Sequence, residues 1–370
     1  MKRKLTNIMV TGGAGFIGCN FIHFMFSNES GFNGKIINVD SLTYAGNLES
    51  LASIEDKFGN ACMTQNRRYY FENVDICNRD SIEKILKKYE IDTIVHFAAE
   101  SHVDRSILGP ETFIKTNVMG TFNLLDCARN YWKNNDGSIR NDVLFHHIST
   151  DEVYGSLEET GYFTETTPYD PRSPYSSSKA SSDHLAMAYF HTYNLPVTLS
   201  NCSNNYGPYQ FPEKLLPLMI MNIREGKNLP VYGDGKNIRD WLYVEDHNRA
   251  VWLIMKDGKK GEKYNIGGEN EWENIKLLHK LIEITCKEIS LNINDVKQTI
   301  QFVKDRPGHD RRYAIDCSKI KKELGWKRKV TFEEGLEKTV KWYLSNEKWI
   351  NNILSGEYSK WIENNYGDRK

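Results

Sequence analysis

An α/β fold with a doubly wound parallel sheet is what this sequence predicts, on three observations. Short apolar strands alternate with helical patterns through the first half. A glycine-rich turn stands between the first strand and the first helix. After about residue 203 the alternation weakens and Gly/Pro punctuation increases, which marks a smaller C-terminal region. In chain order, Ile8–Val10, Ile36–Val39, an aromatic-rich stretch before Asp75, Ile94–Phe97 and Val143–Ile148 read as buried strands. Ile17–Ser27, Arg79–Tyr89 and Pro110–Asn130 carry apolar residues at helical spacing. Such alternation implies βαβ units with helices on both faces of the sheet. Leu42–Arg68 and Asn134–Asp142 read as loops. The C-terminal region is punctuated at Asn205-Tyr-Gly-Pro208, Tyr232-Gly-Asp-Gly235, Asn265-Ile-Gly-Gly268 and Arg306-Pro-Gly-His309, a pattern suited to loops around a ligand. From Thr331 an amphipathic helix leads into a charged tail.

A chain of 370 residues can bury a full core as one large or two modest domains. A formal charge of −1 argues against a polyanion-coating protein. The seven cysteines (19, 62, 77, 127, 202, 286 and 317) are scattered and never form a C-x-x-C pair, which fits reduced thiols rather than a disulfide framework or zinc site. No apolar run approaches the length of a membrane span, and Met1-Lys-Arg-Lys-Leu-Thr-Asn lacks the apolar core of a signal peptide, so a cytoplasmic protein is expected. No metal is expected: His146 and His147 are adjacent on a strand and point to opposite faces, one expected to be packed and the other hydrogen-bonded.

Gly13-x-Gly15-x-x-Gly18 follows a strand and opens a helix, the context in which this motif binds a dinucleotide. Gly12-x-x-Gly15-x-x-Gly18 gives a second register over the same turn. Glycines there allow the turn, the close approach of pyrophosphate and tight helix packing, while the helix N-terminus offers free N–H groups to phosphate. Asp40 stands 22 residues beyond Gly18, where a carboxylate can accept both ribose hydroxyls and repel a 2′-phosphate, so NAD is favoured over NADP. Asp75-Ile76 and Ala98-Ala99-Glu100-Ser101 follow further strands, at the edge where such sheets bind ligands. Packing beneath a helix would explain the alanine pair equally well.

Tyr175 and Lys179 lie four apart after Pro174, on one face of a helix. A free tyrosine ionises near pKa 10, so acting as a base near neutrality means lowering it by about three pH units, roughly 4 kcal/mol. An adjacent ammonium and a cationic nicotinamide ring would favour the phenolate. Thr150-Asp151-Glu152 ends the strand before this helix and places an acid/base pair beside the tyrosine. Out of context, Thr-Asp-Glu is a solvated turn and Tyr-x-x-x-Lys a surface pair.

These segments resemble the extended short-chain dehydrogenase/reductase family and, within it, the dTDP-glucose 4,6-dehydratases. The resemblance runs through Thr11–Gly18, Asp40-Ser-Leu-Thr-Tyr-Ala-Gly-Asn47, Ala98–Ser106, His146–Gly155, Tyr175–Lys179, Asn201–Pro208, Arg239–His247 and Arg306–Asp310. It departs near Ile54–Arg68, which looks longer than the family pattern, and in the C-terminal tail. It implies a Rossmann-type NAD-binding domain over 1–202 with about 239–266, and a smaller nucleotide-sugar domain over about 203–238 with 267–370.

The implied reaction oxidises C4 of dTDP-glucose with bound NAD, eliminates water across C5–C6 and returns hydride to C6. Tyr175 would take the C4 hydroxyl proton beside Lys179, Thr150 would bond that oxygen, Glu152 would remove the C5 proton and Asp151 would protonate the departing hydroxyl. An acid in that role needs a raised pKa, which burial and a neighbouring carboxylate would provide. The resemblance also assigns cofactor contacts to Phe16, Ile17, Ser41, Leu42, Thr43, Thr116 and Asn205, beside Gly12, Gly15, Gly18, Asp40, Asp75, Ile76, Ala98, Ala99 and Ser101. Substrate contacts fall to Ser101, Asn204, Lys214, Leu215, Pro230, Val231, Tyr232, Arg239, Asn274, Arg306 and His309; Lys214 alone would read as a solvated charge, and Leu215 or Val231 as core. A homodimer through helices containing Thr116–Asn130 and Ser176–Tyr193 is implied too, although their apolar residues could equally pack within the subunit. Rival readings are a GDP-mannose 4,6-dehydratase, a 4-epimerase, which needs no acid/base pair for water loss, and a non-catalytic NAD sensor.

Overall fold

The computed structural model describes residues 3, 5–60 and 67–354. Met1, Lys2, Lys4, Cys62 with the rest of 61–66, and the expected charged tail over 355–370 lie outside the described residues.

The N-terminal half runs β1 (Asn7–Thr11), α1 (Phe16–Met25), β2 (Lys35–Asp40), α2 (Ala52–Phe58), β3 (Tyr69–Asn73), α3 (Arg79–Lys88), β4 (Thr93–His96), α4 (Val103–Leu108), α5 (Pro110–Phe113), α6 (Thr121–Tyr131), β5 (Leu144–Thr150), α7 (Pro174–Tyr193) and β6 (Val197–Cys202). The C-terminal half continues with β7 (Asn204–Tyr206), α8 (Leu215–Arg224), β8 (Leu229–Tyr232), β9 (Ile238–Tyr243), α9 (Val244–Asp257), β10 (Lys263–Ile266), β11 (Glu271–Glu273), α10 (Asn274–Ile289), α11 (Ile293–Lys297), β12 (Ile300–Val303), α12 (Ser318–Leu324), α13 (Phe332–Ser345) and α14 (Glu347–Leu354).

Seven strands form one parallel sheet in the order β10-β6-β5-β4-β1-β2-β3. Strand order reverses between β1 and β4, which opens a crevice beyond their C-terminal ends. The strands are apolar on both faces because helices cover both; Ile8, Met9, Val10, Ile36, Ile37 and Val39 are all fully buried. β9 pairs with β7 and β11 in a small sheet, so the segment expected to rejoin the large sheet at about 239 does so through α9 and β10. β8 and β12 form a two-stranded pair. A separate apolar cluster, with Leu216, Ile220, Leu277, Leu281, Leu336 and Trp349, fills the C-terminal half.

Two local expectations change. Leu42–Arg68 is not all loop: Asn47 caps a 3-10 turn by accepting from Glu49 N, and α2 follows, with Ile54 buried. Pro110–Asn130 is helical throughout, but Ile114–Gly120 is wound as a π-helix. Such insertions re-aim side chains, and Lys115 and Thr116 from this stretch face the crevice. α7 begins with Pro174 at its first turn and a reciprocal Ser173/Ser176 capping box. Its buried face is largely polar (Ser176, Ser178, Lys179, Ser182, Asp183), an expense that a merely structural helix would avoid.

Candidate active site

The crevice is a cleft of about 440 Å³ running from the β1–α1 turn to the β5–α7 junction. Gly12, Gly15, Phe16, Ile17, Gly18, Asp40, Ser41, Thr43, Asp75, Ile76, Ala98, Ala99, Thr116 and Asn205 line it. Ser101, Thr150, Asp151, Glu152, Tyr175, Lys179, Asn204 and Lys214 line the same cleft.

Three glycines divide the work at the turn. Gly12 has φ +70° and its missing Cβ would sit 2.6 Å from the Ala98 backbone. A Cβ on Gly18 would stand 2.2 Å from the Gly12 carbonyl, so only glycine lets α1 close against the turn. Gly15 differs: a Cβ there meets only the Gly12 carbonyl oxygen, at 3.4 Å, and otherwise enters the cleft. Gly13 packs beneath, toward Asn38, so the register that faces the cleft is Gly12-x-x-Gly15-x-x-Gly18. Asp40 accepts from Ala14 N at 2.9 Å and Leu42 N at 2.8 Å. One lone pair remains on each oxygen, so the pair can still accept two hydroxyls. The donors, glycines and carboxylate fit a dinucleotide with a free 2′-hydroxyl.

At the other end, β5 delivers Thr150 and a short 3-10 turn carries Asp151 and Glu152. Thr150 Oγ1 accepts from Glu152 N and donates to Asp151 Oδ1, each at 3.3 Å. Burial, then the charges of Glu152 and Asp240, push Asp151 well above the usual carboxylate range, against the pull of Arg239. Glu152 is also raised by burial, but Arg306, Arg239 and Lys214 oppose the rise. Both carboxyls are thus raised, Asp151 well above its usual range and Glu152 against three opposing cations, so Asp151 is the better placed of the two to hold a proton.

Tyr175 departs from expectation. Burial and the Glu152 carboxylate hold its hydroxyl well above the ordinary tyrosine value, against the bond to Thr150. Lys179 donates to the Ile148 carbonyl at 2.8 Å, and burial lowers its proton affinity. The phenolate therefore needs a further positive charge, which a nicotinamide ring in the cleft would bring. The two histidines also differ: His146 contacts Thr198 and Ser200 hydroxyls at 2.9 and 3.2 Å, while His147 Nε2 lies 3.1 Å from Asp183 Oδ1, so both meet polar partners.

Several expected substrate residues lie off the cleft wall. Arg239 is buried, donates to the Asp310 carbonyl at 2.9 Å and stacks on Tyr313. Arg306 lies 3.5 Å from Asp104, whose other oxygen accepts from Tyr232 at 3.0 Å. His309 meets Asp305 at 2.6 Å. These groups adjoin the cleft through Glu152, whose carboxyl feels both arginines. Asn274 heads α10 with a buried Oδ1 that has no partner among the described residues. Pro230 and Val231 belong to β8, Val231 and Leu215 pack into the C-terminal core, and Leu42 (φ +51°) reaches the site only through its bond to Asp40. The cleft also uses Tyr44, Lys115, Gln210, Phe211 and Glu213, none of which stood out in the sequence. Tyr44 donates to the buried Glu213 at 3.1 Å and lies under the Arg105 guanidinium, 3.8 Å from ring centre to cation. Among the described residues no group of three His, Cys, Asp or Glu side chains could hold a metal ion.

The family model described as GDP-mannose 4,6 dehydratase matches residues 9–339. The dTDP-glucose 4,6-dehydratase 1 of Escherichia coli K12 is 53% identical, over 98% of this chain and 99% of its own. The chain belongs to the dTDP-glucose 4,6-dehydratase family. The enzyme of that name from Neisseria meningitidis is also 53% identical, over 96% of this chain and 98% of its own. Among solved structures, the family member from Streptomyces venezuelae with NAD and TYD bound superposes with a TM-score of 0.83 at 42% identity, over 94% of this chain and all of its own. A UDP-glucose 4-epimerase from Thermotoga maritima superposes at 0.77 with 29% identity, over 92% of this chain and all of its own. The epimerase shares the scaffold, so the distinction between the two activities lies in the residues at the cleft.

Proposed function

We propose that the unequal environments of Asp151 and Glu152 run the elimination step of a dTDP-glucose 4,6-dehydratase, an NAD-dependent hydro-lyase. That pair is the observation carrying the reading, because an epimerase has no water to expel. The Gly12–Gly18 turn and Asp40 would hold NAD, which when bound would supply the hydride acceptor for C4 and the hydride donor for C6. Tyr175 withdraws the C4 hydroxyl proton, with Thr150 bonded to the same oxygen. A ketone at C4 acidifies the C5 hydrogen, which Glu152 removes as carboxylate. Asp151, whose hold on its proton is strengthened by burial and by Glu152, gives that proton to the C6 hydroxyl, which leaves as water. Glu152 can then return a proton to C5. Arg239, Arg306 and Lys214 supply cationic donors for the diphosphate, and Asn204 faces the sugar–phosphate.

The same reading makes residues 1–202 with about 239–266 the NAD-binding domain and about 203–238 with 267–370 the nucleotide-sugar domain. Leu108, Ile114, Met119 and Phe122 leave an apolar surface along α4 to α6, which supports pairing of two copies through this stretch and α7. The net charge of −1 supports neither a nucleic-acid partner nor an anionic surface as target. No helix of the described residues is long and apolar enough to cross a membrane. We place the protein in the cytoplasm, feeding deoxysugar synthesis of the dTDP-rhamnose type.

The test is incubation of purified protein with dTDP-glucose and mass analysis of the nucleotide sugar. Loss of one water without net accumulation of reduced NAD is expected. Conversion of GDP-mannose or UDP-glucose instead would overturn the donor, and no conversion of any donor would overturn the activity.

A further inference from the structure

Two loops wall the cofactor end of the cleft, and the C-terminal helix pair α13–α14 holds both from behind. The first loop follows Asp40 and brings Ser41, Thr43 and Tyr44 to the cleft, while the second brings Asn205, Gln210 and Phe211. They meet where Tyr44 lies edge-on to Phe211, ring centres 5.4 Å apart, and donates to Glu213 at 3.1 Å. Behind the first loop, the 3-10 turn over Leu48–Leu51 buries Ser50, which is 3% exposed. The Ser50 hydroxyl accepts from Trp349 Nε1 of α14 at 3.0 Å, and Asn352 of the same helix donates to Glu49 at 2.7 Å. Behind the second loop, the Tyr343 hydroxyl of α13 donates to the Gln210 carbonyl. The Gln210 side chain in turn donates to the Asn205 carbonyl at 3.0 Å.

Tyr209, just before Gln210, has φ +66°, a conformation that a bulky residue keeps only when its surroundings impose it. Trp342 and Trp349 meet its ring edge-on at 4.6 and 5.8 Å. His23 of α1 stacks on the same ring at 5.5 Å and bonds the Ser50 carbonyl at 2.7 Å. These contacts fix the turn that presents Gln210 and Phe211 to the cleft. A buried indole N–H or phenol needs an acceptor somewhere. Trp349 and Tyr343 belong to the C-terminal apolar core, yet each finds its acceptor on a segment attached to a cleft loop. The proposed reaction takes hydride from the sugar and gives it back, so a dinucleotide lost between the two steps would strand the ketone. Both walls must therefore stay together through the cycle. We propose, on the reading of the cleft as an NAD site, that Tyr343 and Trp349 are positioning residues. Their bonds to Gln210 and Ser50 buckle the two loops together and set how long the dinucleotide stays.

The experiment measures release of NAD from the holoenzyme by trapping. Alcohol dehydrogenase with ethanol reduces each NAD that escapes, and the absorbance of reduced NAD gives the rate. Tyr343→Phe and Ser50→Ala each delete one bond while keeping the aromatic rings of the core. Each is expected to release NAD about three- to fivefold faster than the wild type, and the double variant at least about tenfold faster. Ile282→Val trims the same C-terminal core but makes neither bond, so it should lower the urea midpoint and leave the release rate unchanged. If the double variant does not fold, the two single variants carry the same expectation. Release at the wild-type rate from both single variants, or an equal acceleration by Ile282→Val, overturns the buckle alone. A wild type that holds no NAD would sink the cofactor reading, and the buckle with it.

Discussion

The two ends of the cleft are made of different materials. The cofactor end is mostly backbone: a glycine turn, a helix N-terminus and the ends of β1, β2 and β4, with one carboxylate already fixed by two amides. The sugar-nucleotide end is mostly charged side chains already engaged, Arg306 with the Asp104 carboxylate, His309 with the Asp305 carboxylate and Arg239 with the Asp310 backbone carbonyl. Backbone donors cannot rotate away, so the first end is ready for its ligand. Side chains already engaged must exchange partners when a diphosphate arrives, which costs affinity and confers selectivity.

Substitutions at each end should separate these behaviours. The largest effect is expected where both ends meet: Tyr175→Phe should lower turnover by about 10³-fold or more while NAD stays bound, measured by steady-state rate and by cofactor content of the purified protein. Retained turnover would detach the tyrosine from the chemistry. Next, Glu152→Gln should reduce dehydration by roughly 10²- to 10³-fold yet permit reduction of NAD in a single turnover. Asp151→Asn should do likewise. Asp151 acts while protonated and its pKa is raised, so the wild-type rate should fall as pH rises through that raised value. Asp151→Asn should lack that alkaline limb.

Gly12→Ala tests the rigidity of the cofactor end. Its positive φ and the 2.6 Å approach to Ala98 predict a loss of about 2–4 kcal/mol, read by denaturant unfolding, with loss of NAD from the purified protein. Arg306→Ala tests the adjustable end, and a rise in KM of about tenfold with a smaller change in kcat is expected. Equal loss of kcat would mean that Arg306 acts on the transition state instead.

The smallest effect belongs to a control remote from both ends. Glu29 pairs with Arg249 and Lys329 at 2.7 and 2.6 Å, and these partners hold its pKa down at about 2. A depressed carboxyl stabilises the fold above its unfolded value near 4.3 and loses that contribution as pH falls through the folded one. With 38% of the side chain exposed, solvent screening leaves only a few tenths of a kcal/mol, so Glu29→Gln should barely move the urea midpoint at pH 7.

The same division explains what could be read in the sequence. The cofactor end is local: Gly12, Gly15, Gly18 and Asp40 act through short-range backbone geometry, and their spacing carries their meaning. Thr150 through Glu152 and Tyr175 with Lys179 are legible for the same reason, being set by one strand end and one helical turn. The strands were legible from their apolar runs, whereas the π-wound Ile114–Gly120 looks like ordinary helix, since one extra residue per turn leaves no compositional trace. Tyr44, Arg105 and Glu213 meet from three separate segments, so no spacing announces them. The ionisation of Tyr175 was the least legible, because burial and the Glu152 charge depend on the assembled cleft.

Asp40 has a consequence for anyone who would retool this protein. Its two oxygens pin Ala14 N in the glycine turn and Leu42 N in a loop whose φ is +51°. A switch of coenzyme preference toward a 2′-phosphorylated dinucleotide requires that carboxylate to go. Its removal would also release the two amides that shape the phosphate turn and the loop behind it. Replacement by a small neutral residue would thus trade selectivity for a collapsed cradle. A workable redesign would pair the change with a new acceptor for Ala14 N and a glycine at position 42.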